Sequence, residues 1–107
     1  MKKLKSFSAR CYALLRRVPP GRVTTYRELA KALGSQAYRA VGNALRRNPY
    51  APKVPCHRVV KSDGRLGGFA HGQGRKASLL RQEGIMIKNS RIMDFARRLY
   101  RFKFKAP

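Results

Sequence analysis

Acidic residues are scarce in this chain. Only Glu28, Asp63, Glu83 and Asp94 stand against 26 lysines and arginines, a formal net charge of +22 over 107 residues. A compact domain with that imbalance repels itself, and its natural partner is a polyanion, because each neutralised phosphate releases condensed counterions. The cations run along the whole chain rather than forming a tail, which favours a folded basic surface over a disordered arm. Nonspecific attachment to an anionic membrane or to RNA is the plainer alternative. Cysteine is sparser still. Cys11 and Cys56 make neither a disulfide framework nor a zinc set, so neither metal nor other cofactor is expected. No apolar run is long enough to span a bilayer, so no membrane partner is expected. The start, Met1-Lys2-Lys3-Leu4-Lys5-Ser6, is not followed by the apolar core of a signal peptide. A reducing compartment is expected, cytoplasmic or, in a eukaryote, nuclear. No repeat or linker divides the sequence, so residues 1–107 read as one domain with a modest core.

What is present is a series of helix signals. Phe7 to Val18 predicts an amphipathic helix with Phe7, Cys11, Leu14, Leu15 and Val18 on one stripe, ended by Pro19-Pro20-Gly21. After an extended Val23-Thr24, the run Thr25-Tyr26-Arg27-Glu28 matches a capping box, with Thr25 as N-cap. That helix runs to Leu33 and stops at Gly34. Ser35 is the expected cap of a third helix, Gln36 to Arg47, ended by Asn48-Pro49. Two helices joined by a Gly-Ser turn form a helix-turn-helix pattern. Val59-Val60, the turn Asp63-Gly64 and a return strand Arg65 to Phe69 predict a hairpin wing. Gly72 to Glu83 predicts a fourth helix, and Ser90 to Lys103 a last basic one with Ile92, Phe95, Ala96, Leu99 and Phe102 along one face.

The chemistry concentrates in Val54-Pro55-Cys56-His57-Arg58-Val59, where a thiol adjoins an imidazole. In an extended segment the two side chains would point to opposite faces, so an intervening water is the natural link between them. Cys11, among apolar helical residues, reads as a buried small hydrophobe. Of the four acids, Glu28 closes a cap, Asp63 makes a turn and Asp94 lies near a helix start. Glu83 is at a helix C-terminus, where negative charge is mildly unfavourable. It either pairs on the surface with Arg81 or Lys76, or orients His57 as third member of a Cys–His–Glu relay. The third helix is slim, with Ala37, Ala40, Gly42 and Ala44. That suits close packing on another helix, or approach to a narrow minor groove with Arg46 and Arg47 on phosphates.

Pro55-Cys56-His57-Arg58-Val59, with Arg39-Ala40-Val41-Gly42 and Asn48-Pro49 at these spacings, resembles the O6-alkylguanine-DNA alkyltransferase family. Thr25-Tyr26-Arg27-Glu28-Leu29-Ala30 and Leu79-Leu80-Arg81-Gln82-Glu83-Gly84 resemble further family segments, so the likeness runs from about Phe7 to Gly84. The resemblance implies direct, single-turnover transfer of an alkyl group from guanine O6 in double-stranded DNA to Cys56, on a monomer. It implies His57 activating Cys56 through water, Glu83 holding His57, and Asn48 bracing the turn. Tyr26 would press on the target phosphate and Arg39 would fill the gap left by the flipped base, with Ala40, Gly42 and Ala44 at the groove. Leu45, Val59, Ser62, Gly67, Gly68, Phe69 and Ala70 would line the base pocket, with Lys76 near its rim.

The sequence departs from the family pattern at Phe69, where Tyr is common, and at His71, where Gly is common. The separate N-terminal domain of many members is expected to be absent, as in short members. The expected fold is a compact α+β, winged-helix-like, mostly helical domain with a short β-hairpin wing and, over residues 85–107, a basic helical extension. Two other functions fit the pattern less well. One is an alkyltransferase-like damage-recognition protein, which resembles this domain but lacks the acceptor cysteine. The other is a winged-helix regulator reading the major groove.

Overall fold

The computed structural model describes residues 6–69 and 71–102. Helix α1 (Phe7–Leu15) is capped by Ser6, whose hydroxyl accepts the Ala9 N–H at 3.1 Å. It ends short of Val18 in two tight turns, with the Arg17 and Val18 N–H groups bonded to Leu14 and Leu15. Pro19 disfavours helical backbone at the residue before it. The stripe still packs: Cys11, Leu15 and Val18 are fully buried, and Phe7 and Leu14 lie half-buried against them. Strand β1 (Thr24–Thr25) leads into α2 (Tyr26–Ala32), where Thr25 Oγ1 accepts the Glu28 N–H at 3.0 Å. Gly34, at φ +68°, turns the chain out of α2.

Helix α3 (Tyr38–Arg46) starts later than the sequence suggests. Its N-cap is Ala37, without a side-chain bond, because the Ser35 hydroxyl accepts the Ala37 N–H at 2.9 Å. A serine turn of that kind competes with capping. At the other end of α3 the Tyr12 hydroxyl donates to the Ala44 carbonyl at 2.7 Å. This satisfies one of the carbonyls a helix C-terminus leaves without an internal partner.

Residues Cys56–Arg58 form a single 3-10 turn, followed by β2 (Val59–Val60). Strand β2 pairs parallel with β1, Thr24 opposite Val59 and Thr25 opposite Val60. Alternation across this pair divides the core. Val59 packs with α1, α2 and α3, while Val60 and Val23 pack with Leu66, Leu80, Ile85 and Ile92. Helix α4 (Gln73–Gln82) closes the second cluster, and Gly84 at φ +87° ends it.

Two expectations are overturned. The turn at Asp63-Gly64 forms, with the Lys61 N–H donating to the Arg65 carbonyl at 2.9 Å, but β2 and residues 65–69 are not a hairpin. The hairpin is instead β3 (Ile87–Lys88) with β4 (Arg91–Ile92), around Asn89 and Ser90. Both turn residues have positive φ, 52° and 59°, as the two-residue turn that suits twisted strands requires. The long basic helix is likewise absent. Only α5 (Phe95–Arg98) is helical, preceded by Asp94 in left-handed backbone rather than within a first turn. Beyond it Leu99 bridges Val23, with the Tyr100 N–H on the Val23 carbonyl and the Val23 N–H on Arg98. That pairing holds the chain extended where helical periodicity would have coiled it. Lys103 lies outside the described residues.

Candidate active site

The 3-10 turn carries the site. Cys56 is 6% exposed, and its N–H donates to the Val54 carbonyl at 2.8 Å. Asn48 Nδ2 donates to that same carbonyl at 2.8 Å, while its Oδ1 accepts the Tyr50 N–H at 2.9 Å. Asn48 therefore ties the end of α3 to the segment that delivers the thiol. Cys56 and His57 stand on a 3-10 turn and not on an extended strand. The sequence argument from opposite faces thus does not apply, yet no hydrogen bond joins the two side chains among the described residues.

His57 is 2% exposed, and its Nε2 lies 2.8 Å from Glu83 Oε2. Glu83 is the residue that caps the C-terminus of α4. Burial would raise its carboxyl, but hydrogen bonds from Arg58 and His57 outweigh that and hold it below the usual range. A carboxylate only accepts, so the ring proton sits on Nε2 and Nδ1 is left as the basic nitrogen. Burial, reinforced by the positive Arg58 and Lys76, pushes His57 below the ordinary imidazole value although Glu83 pulls the other way. The imidazole is therefore held neutral, as a base must be.

The acid has a second partner that sequence reading passed over. Arg58 Nε donates to Glu83 Oε1 at 2.9 Å and Nη2 to Oε2 at 2.7 Å, while Nη1 donates to the Val18 carbonyl at 2.8 Å. This two-pronged pairing fixes the plane of the carboxylate that holds the imidazole. The only sequence signal for it was the place of Arg58 beside His57. Glu83 pairs with neither Arg81 nor Lys76.

Above the thiol opens a cavity of about 770 Å³, walled by α2, α3 and the loop after β2. Leu45, Ser62, Gly68 and Phe69 line it as expected, together with Tyr26, Gly42 and Arg46. Arg27, Tyr38 and Lys61 also line it, and nothing in the sequence singled them out. Tyr38 is a large aromatic left 49% exposed at the mouth. Three expectations fail here. Val59 is fully buried in β2 and is not part of the cavity lining. Lys76 is no rim residue: it is 0% exposed, and its Nζ donates to the Gly68 carbonyl at 3.1 Å. Burial lowers its pKa to about 8. Gly67, at φ +74°, is not part of the lining, and an added Cβ there would come within 3.1 Å of the Lys61 side chain. Ala70 lies outside the described residues.

Tyr26 reaches the same wall, its hydroxyl donating to the Gly68 carbonyl at 3.4 Å. Burial and the nearby Cys56 raise the phenol, keeping its proton in place. His71 does not enter the main cavity. Its ring stands edge-on to Phe69, centroids 5.3 Å apart, and faces a second cavity of about 350 Å³ that His57 also lines.

Helix α3 shows two faces. Val41, Ala44 and Leu45 are buried, so Ala44 packs inward instead of facing outward as expected. Tyr38, Arg39, Arg46 and Arg47 are exposed, with Ala40 and Gly42 half-buried among them. A Cβ at Gly42 would meet nothing within 4 Å, so that side is open. Arg39 makes no ion pair with Glu28 among the described residues.

Fold and site together define a small α+β domain that sets a buried thiol, next to a histidine bonded to a carboxylate, beneath a slim basic helix. The chain belongs to the family described as 6-O-methylguanine DNA methyltransferase, DNA binding domain, whose sequence model matches residues 6–85. It is 47% identical over 83 residues to a methylated-DNA–protein-cysteine methyltransferase of Metallosphaera sedula, covering 78% of this chain and 52% of that protein. Mycobacterium tuberculosis OGT, solved in complex with DNA, is 40% identical with a TM-score of 0.71, over 76% of this chain and 51% of that one. S. pombe Atl1, solved with damaged DNA containing O6-carboxymethylguanine, is 25% identical with a TM-score of 0.75, over 94% of this chain and 99% of that one. The chain spans about half the length, or less, of the curated relatives it matches. No helix among the described residues is long and apolar enough to cross a membrane.

Proposed function

We propose that this chain repairs DNA by direct reversal, moving the alkyl group of O6-alkylguanine in a duplex onto Cys56. The observation that carries the reading is a buried thiol lining a cavity with ample room for a nucleobase, beside an imidazole held neutral and oriented by Glu83 and Arg58. The guanine oxygen lies inside the stacked duplex, so the nucleotide must be extruded into that cavity. His57 Nδ1, through a water, takes the proton of Cys56. The thiolate sulfur attacks the alkyl carbon, the carbon–oxygen bond breaks, and a carbon–sulfur bond forms. Guanine leaves with the electron pair and ends in its ordinary keto form after taking up a proton. Nothing regenerates the thiol, so each molecule acts once.

In this reading Asn48 braces the turn, Tyr26 meets the target phosphate, and Arg39 fills the space left by the base. Ala40, Gly42, Arg46 and Arg47 form the outer face of α3 that meets the groove. Leu45, Ser62, Gly68 and Phe69 hold the base. The partner is double-stranded DNA, the acting unit is a monomer, and the compartment is one in which thiols stay reduced.

Peptide mapping after incubation with a duplex carrying O6-methylguanine tests the assignment. One methyl group on Cys56 and none on Cys11 is expected. Methyl on Cys11, or on neither, overturns it. Cys11 is a demanding control, because burial and the neighbouring Cys56 push its thiol up to about 12. A second reading, damage recognition without transfer, draws on the near full-length match to Atl1. Tight binding to the lesion with no mass gain would favour it.

A further inference from the structure

The hairpin β3–β4 begins at Ile87, beyond the residues that the family model matches. It is two-faced. Ile87 and Ile92 stand opposite each other and pack on the second core cluster. On the other face Lys88 stands opposite Arg91. Arg91 in turn bridges Arg65, antiparallel, in the turn after β2. The Leu66 N–H donates to the Ser90 carbonyl and the Ile92 N–H to the Gly64 carbonyl, so the hairpin is stitched onto that turn.

Lys88, Arg91 and Arg65 therefore form one row across three strand segments, all exposed. Residues directly opposite on antiparallel strands share a face, and like charges so placed destabilise the pair. One acid partly relieves the row: Asp63 Oδ2 lies 3.4 Å from Arg65 Nε, both side chains about half exposed. Lys88 and Arg91 make no ion pair among the described residues. The row also continues the cavity mouth, since Lys61 lines the cavity and its N–H bonds the Arg65 carbonyl.

We propose that Lys88, Arg91 and Arg65 form a second phosphate-binding surface, gripping the DNA backbone to one side of the nucleotide that enters the cavity. This rests on the nucleic-acid reading above and extends it to a part of the chain outside the matched family segment. Facing cations that cost the free protein stability are repaid when a polyanion lies across them. At about 4.8 Å between strands, the row is about 10 Å long, enough to meet more than one phosphate.

The test is a salt titration of binding to an undamaged duplex of two helical turns, using the whole chain and the Lys88→Gln/Arg91→Gln variant. Losing two phosphate contacts lowers the slope of log affinity against log salt by about 2 and weakens binding about tenfold at low salt. A control variant, Arg16→Gln/Arg17→Gln, removes equal charge from exposed residues at the end of α1 and is expected to leave the slope nearly unchanged. The hairpin variant should also melt no lower than the parent, since it removes a repulsion. An unchanged slope in the hairpin variant overturns the proposal, and so does an equal fall in the control, which would make the effect one of net charge alone. Failure of the parent itself to bind the duplex would instead overturn the nucleic-acid reading, so the two failures are distinguishable.

Discussion

The turn that carries Cys56 and the outer face of α3 use charge in opposite ways. In the turn, Glu83 is committed to two partners at once, and Arg58 spends all three of its guanidinium nitrogens on Glu83 and Val18. On α3, Arg39 and Arg47 stand exposed and make no ion pair among the described residues. A chain with four acids places one of them against His57 and Arg58 and leaves the outer face of α3 without an acidic partner among the described residues. On the proposed function, rigidity serves the chemistry and unsatisfied charge serves binding. The two should separate under mutation.

The sharpest break is Cys56→Ala. It removes transfer altogether and leaves affinity for undamaged duplex within about twofold, because the phosphate contacts lie elsewhere. Gel-shift and mass measurements on the same preparation check both halves.

Arg39→Ala comes next. At saturating protein, reaction with duplex should slow about 10- to 100-fold, the share of a few kcal/mol of unstacking cost that the side chain offsets. Reaction with free O6-alkylguanine base should not change. Equal losses on both substrates would show a damaged site rather than a lost extrusion aid.

Glu83→Gln tests the rigid half. It leaves Arg58, 13% exposed in its side chain, without its counter-charge and frees the imidazole to turn. A loss of about 3 kcal/mol in unfolding free energy is expected, since one partner of a largely buried pair is removed. Urea denaturation measures it. Transfer from free base should fall as well, which separates this variant from Arg39→Ala.

Acidity acts on the same half. His57 and Glu83 both have folded values below their ordinary ones. The unfolded chain therefore binds more protons than the folded one as pH falls through the histidine range and then the carboxylate range. The stability they contribute is present above those ordinary values and is lost as pH drops through the lowered ones. Melting temperature should decline below about pH 6.5, and transfer should hold its rate until the lowered His57 value is reached.

The smallest effect concerns Thr24, fully buried in β1, whose hydroxyl finds no partner among the described residues. Thr24→Val replaces an orphan donor with a methyl of similar shape. It should stabilise by about 1 kcal/mol with no change in transfer.

The sequence was legible where local chemistry decides structure. Thr25 with Glu28, Gly34 and the apolar spacing of α1 marked helices that formed close to where they were expected. Glu83 stood out because acids are rare and its place at a helix end is unfavourable. Long-range pairing was opaque. Strands of two residues carry no alternation to read, so the parallel β1–β2 contact had no local mark. Ile92, Phe95, Ala96, Leu99 and Phe102 have helical spacing, yet backbone bonds to Val23 and the Asn89-Ser90 turn settle that segment otherwise. The bond from Arg58 to Glu83 spans 25 residues and depends on where α4 ends. Ala44 and Val59 went astray for a related reason. Small or apolar residues beside a pocket and residues beneath it look alike in sequence, and packing alone decides which face is which.

On the proposed function, one protein molecule takes one alkyl group and then stops. Intact mass spectrometry after titration with excess O6-methylguanine duplex tests it most directly. All protein is expected to shift by the mass of a single methyl group, with lesion consumed mole for mole, and Cys56→Ala not to shift at all. Lesion consumed beyond one equivalent, or unshifted protein bound tightly to lesion still in place, would contradict it.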